Sequence, residues 1–283
     1  MPAQSSELIG RRLGGRFLIE RCRIELPQGL VFDARDDNDG RQVAVNLLTG
    51  VPVPGPHFER EARRIRALHP SLVARVHGAF RLPDGTAGIV TAPMRGSSLA
   101  DHVAEGPLSL SSTVRLLDAL VQGLTACHMS GVVHRDLRPE QVWLEPREGR
   151  SPRIVLHGAG VPSLVGARHG KVGAFIFGDA RFMAPEQWVD RAIDGRADMY
   201  GAAMLAYYAL LGAPLVTGAS AVEICRNHFT TPRPKALDSV GNEPIPGTFL
   251  EALATATHPE RSQRYNSIEA FQAALTTVRF SVT

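Results

Sequence analysis

The sequence predicts an α+β protein of two unequal lobes, a small one built on a five-stranded antiparallel sheet with one helix and a larger, mainly helical one. Alternating apolar and polar residues in short β-branched runs fill the first third of the chain, the pattern of half-buried strands. Beyond Pro93 the apolar period lengthens to that of helices. With 283 residues, 44 % of them apolar, the chain is long enough to bury a sizeable core.

The elements follow in order. Phe17 to Ile24 and Gly29 to Arg35 read as strands, Asn38-Asp39-Gly40 as a tight turn, and Gln42 to Leu48 as the returning strand. The Pro-rich stretch Val51 to Pro56 ends regular structure before His57 to Leu68, where Phe58, Ala62, Ile65 and Leu68 recur at helical spacing. Ala74 to Leu82 and Thr86 to Ala92, flanking Pro83-Asp84-Gly85, complete five strands. The lobes meet near Ala92-Pro93-Met94. Leu110 to Ser130 is a long amphipathic helix, and helical runs return at Met199 to Leu211, Thr248 to Ala256 and Ser267 to Val278. Met199 to Val222 carries no charge and is long enough to cross a bilayer. Its Gly201, Gly212, Pro214 and Gly218, and the adjacent Asp198, favour a buried helix instead. The expected boundaries are a polar tail over 1–13, one domain over 14–278 with lobes 14–92 and 93–278, and a tail over 279–283.

A net charge of +3 with no run of like charges argues against a nucleic-acid or lipid surface. Proteins are the expected partners. Cys22, Cys127 and Cys225 lack the spacing of a zinc or redox motif, and their odd number argues against a disulfide framework. Met1 to Arg12 has no apolar signal-peptide core. The expected location is the cytoplasm, as a free protein or as the cytoplasmic part of a longer membrane protein.

His134-Arg135-Asp136-Leu137-Arg138-Pro139-Glu140-Gln141 resembles the catalytic loop of eukaryotic-type Ser/Thr protein kinases. Met183-Ala184-Pro185-Glu186 resembles the end of that family's activation segment, and Asp198-Met199-Tyr200-Gly201 the start of its central helix. Upstream, Val43-Ala44-Val45-Asn46 resembles its third strand, Glu61 the glutamate of its lobe-bridging helix, and His69-Pro70 the turn that follows. The resemblance runs from about residue 14 to 278, is closest to bacterial members, and implies the bilobal protein-kinase fold.

The chemistry it implies is incomplete. Asn46 stands at the lysine that holds phosphates, and the chain has only two lysines, Lys171 and Lys235. Its amide either bonds Glu61, or both are solvated in a loosened cleft. The glycine-rich loop is reduced to Ile24-Glu25-Leu26-Pro27-Gln28-Gly29, in which Gly29 alone is a glycine. Gly158 stands at the metal-binding aspartate and Ala159 at the aromatic residue after it, while Gln141 replaces the second metal ligand, an asparagine. No metal site is expected. Asp136 keeps the position of the base, with a structural role the favoured reading. Gly29, Val31, Ala44, Thr91 and Trp143 form the degenerate nucleotide pocket. Trp143, at a leucine position, either fills the adenine space or is an ordinary strand tryptophan.

Further positions read as architecture. The resemblance implies that Asp198 pins the loop, that Leu72, Val73 and Ile65 join His134 in a spine between the lobes, and that Glu186 pairs with a late arginine, Arg264 as the best match and Arg261 as the fallback. Asp179 either pairs with Arg138 beside Asp136, fixing the segment without phosphorylation, or is a solvated carboxylate on a surface loop; consistent with the pair, Val161 to Met183 holds one hydroxyl residue, Ser163. The resulting expectation is an inactive pseudokinase, a scaffold or allosteric module with a protein partner, such as an active kinase, and no cofactor. Two alternatives remain. One is a divergent Ser/Thr kinase using ATP and Mg²⁺ with Asp136 as base, Lys171 or an arginine replacing the lysine, and His157 assisting. The other is a metal-independent nucleotide sensor.

Overall fold

The computed structural model describes residues 5–26, 29–48, 55–68, 71–164, 171–172, 175–176, 178–188, 193–234 and 244–279. The turn His69-Pro70, most of the Pro-rich stretch, Pro27, Gln28 and Lys235 lie outside them. A short helix α1 (Ser5–Leu8) precedes strands β1 (Arg12–Leu13), β2 (Phe17–Leu26), β3 (Gly29–Asp36) and β4 (Gln42–Leu48), then helix α2 (Gly55–Arg66) and strands β5 (Val76–Arg81) and β6 (Ala87–Thr91). These strands form one antiparallel sheet in the order β1-β2-β3-β4-β6-β5.

The sheet has six strands, where the sequence pattern gave five. The extra one, β1, pairs Arg12 with Leu18 and Leu13 with Phe17. Two residues are too few to show alternation. One face of the sheet buries Phe17, Ile19, Phe32, Val43, Val45 and Val90 with Leu8 of α1. Across the other, Phe58, Ala62 and Ile65 of α2 pack on Leu48 and Ile89 and reach Val73, Val132 and Leu164.

After the crossing at Ala92–Met94 come β7 (Ser97–Ser98), α3 (Leu99–Ala104), α4 (Leu110–Met129), the hairpin β8 (Val142–Arg147) and β9 (Arg150–Leu156), α5 (Val161–Leu164), and a two-stranded piece β10 (Lys171–Val172) and β11 (Phe175–Ile176). The helices α6 (Gly195–Leu211), α7 (Ala221–Thr230), α8 (Gly247–Ala256) and α9 (Ile268–Arg279) complete the larger lobe. The sequence pattern missed α3 and α7. Both are short, and α7 has Val222 and Phe229 exposed, so no continuous apolar stripe announces it.

Helix α6 is the axis of this lobe. Asp194 caps its first turn by accepting from the Arg196 backbone N–H, and Gly212 ends it in the left-handed conformation at φ 72°. Between these stops all residues from Ala197 to Tyr207 are buried, against α4, α8 and α9 among others. That burial is why the uncharged stretch from Met199 lacks a polar face. No helix of the described residues is long and apolar enough to cross a membrane.

Candidate functional site

The loop from His134 to Gln141 lies between the sheet and α6, and Asp198 in the first turn of α6 holds it. Its buried carboxylate accepts from the backbone N–H groups of His134 and Arg135, both at 2.8 Å, and from His128 Nε2 at 2.7 Å. Burial alone would raise the Asp198 pKa, but the bond from His128 and the neighbouring charges hold it below the ordinary carboxylate value. Burial likewise opposes protonation of His128, yet Asp198 holds its pKa above the usual imidazole value. These two bonds restrain Arg135, whose φ of 67° is the one left-handed non-glycine backbone among the described residues. His134 is neutral. Its Nε2–H donates to the His157 carbonyl at 2.7 Å while its Nδ1 accepts from the Asp136 N–H at 3.2 Å, and burial depresses its pKa.

Asp136 is 3 % exposed. Arg138 Nε lies 3.2 Å from its Oδ1, and Gln141 Nε2 donates to its Oδ2 at 3.3 Å. These side chains face Gly29, Val31 and Asn46 across a cavity of about 30 Å³, room for little more than a water molecule. Asn46 is half-buried on β4, between Val31 and Ile89. No hydrogen bond among the described residues joins it to Glu61, which instead pairs with Arg60 at 3.4 Å and Arg64 at 3.8 Å. Gly29 has a local reason to be glycine: a side chain would collide with the Leu47 carbonyl of the paired strand.

Gly158 and Gln141 are sterically linked. Gly158 has φ +78°, and a Cβ there would lie 2.9 Å from the Gln141 side-chain amide. The longer amide occupies the room a carboxylate at 158 would need. His157 is buried, and both its ring nitrogens lack a hydrogen-bond partner among the described residues. Burial, reinforced by His134, pushes its pKa down to about 3.

Trp143 is 3 % exposed and packs with Val31, Ala44 and Met94 into one apolar cluster spanning the two lobes. Its Nε1 donates to the Glu140 carbonyl at 3.0 Å, and the Arg23 guanidinium lies 5.5 Å from its ring centroid. Arg23 is itself held by Asp33 at 2.9 Å and the Met94 carbonyl at 3.4 Å. Thr91 is buried beside this cluster's strand, with Oγ1 lacking a partner among the described residues.

The expected Arg138–Asp179 pair is not formed. Asp179 takes Arg181, two residues on, accepting from its backbone N–H at 2.9 Å and its Nε at 2.9 and 3.0 Å. Arg138 stays on Asp136. The nearer arginine wins because a two-residue loop closure brings it to Asp179 at little entropic cost. Asp194 and Arg196 repeat the same Asp-x-Arg arrangement, a pattern that could have revealed both. Glu186 and Arg264 form a buried bidentate pair at 2.7 and 2.8 Å. Ile65, Val73 and Ala159 share one core cluster. At the next residue, Gly160, a Cβ would lie within 3 Å of Ile65 and Val132, so this position admits no side chain. Sequence reasoning missed His128, Arg23, Arg181 and Met94; apart from Arg181, with its Asp-x-Arg spacing, none belongs to a motif that marks its partner.

The protein kinase domain family matches residues 27–275. The chain is similar to the serine/threonine-protein kinase Pkn1 of Myxococcus xanthus, 30 % identical over 275 residues, 95 % of this chain and 39 % of that protein. It is also similar to pkn3 of the same organism, 26 % identical over 97 % of this chain and 52 % of the relative. The serine/threonine-protein kinase PknA of Mycobacterium tuberculosis is 26 % identical over 97 % of this chain and 64 % of its own length. The chain therefore spans between 39 % and 64 % of these relatives.

These matches overturn the expectation of no cofactor, because protein kinases take the phosphoryl group from ATP with Mg²⁺. The expectation failed because it weighed individual side chains against a family whose defining reaction uses both. The residues here nevertheless fit that pair poorly in its usual seating. Asn46 brings no positive charge, Gly158 brings no carboxylate, and Gln141 fills the space beside it.

Proposed function

We propose, because this chain belongs to the protein kinase family, that it is a protein-directed signalling module of the serine/threonine kinase type in which phosphoryl transfer from ATP is slow and divergent. The observation that carries this reading is Asp136. It remains buried on a loop clamped by Asp198, with Arg138 and Gln141 on its two carboxylate oxygens. Arg138 is the cation lining the cavity among the described residues. Slowness follows from Asn46 and Gly158, since phosphoryl transfer depends on positioning and on neutralising developing charge. Three cysteines outside any disulfide fit a reducing compartment such as the cytoplasm.

The test is incorporation of labelled phosphate from ATP into a protein substrate. Wild type should give a low rate that Asp136→Asn abolishes; equal rates in the two proteins would refute a base role for Asp136.

A second reading, a catalytically silent family member acting through protein contacts, is favoured by one observation, the packing of Trp143 between Val31, Ala44 and Met94. Thermal-shift titration separates the two readings, because only a bound ligand stabilises by linkage. A shift with ATP that grows with Mg²⁺ supports transfer. A shift confined to an added protein partner supports the silent module.

A further inference from the structure

A second cavity, of about 430 Å³, lies where the segment before β5, the crossing between lobes and the β8–β9 hairpin meet. It shares no lining residue with the small cavity between Asn46 and Asp136. Its size is that of a small-molecule site. Val73, Pro93 and Val155 supply apolar walls, and Arg75, Arg153 and Glu145 supply charge.

The charges do not balance. Arg75 is exposed and has no partner among the described residues. Arg153 donates both Nε, at 3.1 Å, and Nη2 to the uncharged Ser71 carbonyl, and its Nη1 lies 3.6 Å from Glu145, which faces it across the hairpin. Two guanidiniums thus meet one carboxylate beside an apolar wall. Guanidinium groups favour planar, bidentate oxygen anions.

We propose that this cavity binds a small organic anion, a carboxylate or phosphate monoester on a compact apolar body, and that its occupancy braces the two lobes. The bracing follows from where the arginines sit. Arg75 belongs to the segment leading into β5 and Arg153 to β9, so one anion held by both ties the smaller lobe to the hairpin of the larger. That junction is already stitched by Ala74 N–H to the Leu156 carbonyl at 2.8 Å and Leu156 N–H to the Leu72 carbonyl at 2.9 Å. The cavity's lining includes His157 but neither Asp136 nor Asn46, so binding here does not require phosphoryl transfer.

Calorimetric and thermal-shift titrations of the whole chain with phenyl phosphate, phenylacetate and neutral benzyl alcohol test this. At least one anion should bind and raise the melting temperature while the alcohol does not, and whichever anion binds more tightly names the natural head group. Arg75→Gln and Arg153→Gln should each weaken binding by about tenfold, the value of one charge-assisted bond. Arg115→Gln, an exposed arginine on α4, should leave it unchanged. Melting curves without ligand establish that each variant is folded. Failure of both anions to bind, binding indifferent to both cavity arginines, or an equal loss in Arg115→Gln would overturn the proposal, as would inorganic phosphate binding as tightly as phenyl phosphate.

Discussion

Installing an aspartate at Gly158 restores a metal-binding side chain on paper, yet the structure says that Gly158→Asp should destabilise the protein by about 2–4 kcal/mol. The backbone there has φ +78°, and a side chain in that region costs about 1–2 kcal/mol. The new Cβ would also lie 2.9 Å from the Gln141 amide. To give way, Gln141 must release its 3.3 Å bond to Asp136 Oδ2, leaving buried polar atoms short of a partner at about 1–2 kcal/mol. Gln141→Asn removes the collision but not the backbone strain. The double variant should therefore recover about 1 kcal/mol relative to the sum of the single ones. Equilibrium urea unfolding of wild type, both singles and the double measures this directly. A Gly158→Asp protein as stable as wild type, or purely additive costs, would refute the steric link between the two positions.

Glu186→Ala should cost about 3–5 kcal/mol in the same assay, because it strands the buried Arg264 guanidinium; a change below about 1 kcal/mol would mean that water reaches the pair. Acidification should weaken the fold. Burial depresses His157 to about 3 and His228 to about 4, below the ordinary imidazole value of about 6.5, so the unfolded chain takes up these protons first. The stability they confer is present above about pH 6.5 and is lost as pH falls toward their folded values, roughly 1–2 kcal/mol each by pH 5. His128, whose folded pKa is raised, adds stability as pH falls to about 6.5 and only a constant contribution below it, and Asp198 adds its own loss below about pH 4. Urea midpoints that rise between pH 7 and pH 5 would contradict that balance. Finally, Cys127, buried with its thiol pushed up to about 12, should resist a thiol reagent until the protein unfolds, while the half-buried Cys22 and Cys225 react first; native labelling at Cys127 would count against the burial.

The two-lobed architecture was legible because periodicity reports burial. Gln42–Leu48 was read at its observed bounds, and Leu110–Met129 within one residue. What escaped was short or spatial. The two-residue β1 has no period, and α3 and α7 present too little apolar face to register. In the site, loop motifs identified Asp136, Asp198 and Glu186 as candidates, since those residues stand in recognisable strings, while Arg264 was chosen over Arg261 as the partner of Glu186. Arg181 was signalled only by its two-residue spacing from Asp179. His128 could not be found that way, because three-dimensional proximity selects it among histidines of equal appearance. The cofactor expectation failed for a different reason, since missing charges at Asn46 and Gly158 describe how a ligand is seated rather than whether the family uses one.

The anchorage of Asp198 has a consequence for how this chain tolerates change. Among the described residues every bond it makes, to His128, His134 and Arg135, stays inside the larger lobe, so the anchorage of the loop does not run through the small sheet. Substitutions along β2, β3 and β4 can accumulate without loosening Asp136. Evolution can thus retune or retire the cleft one strand at a time while the rest of the molecule keeps folding.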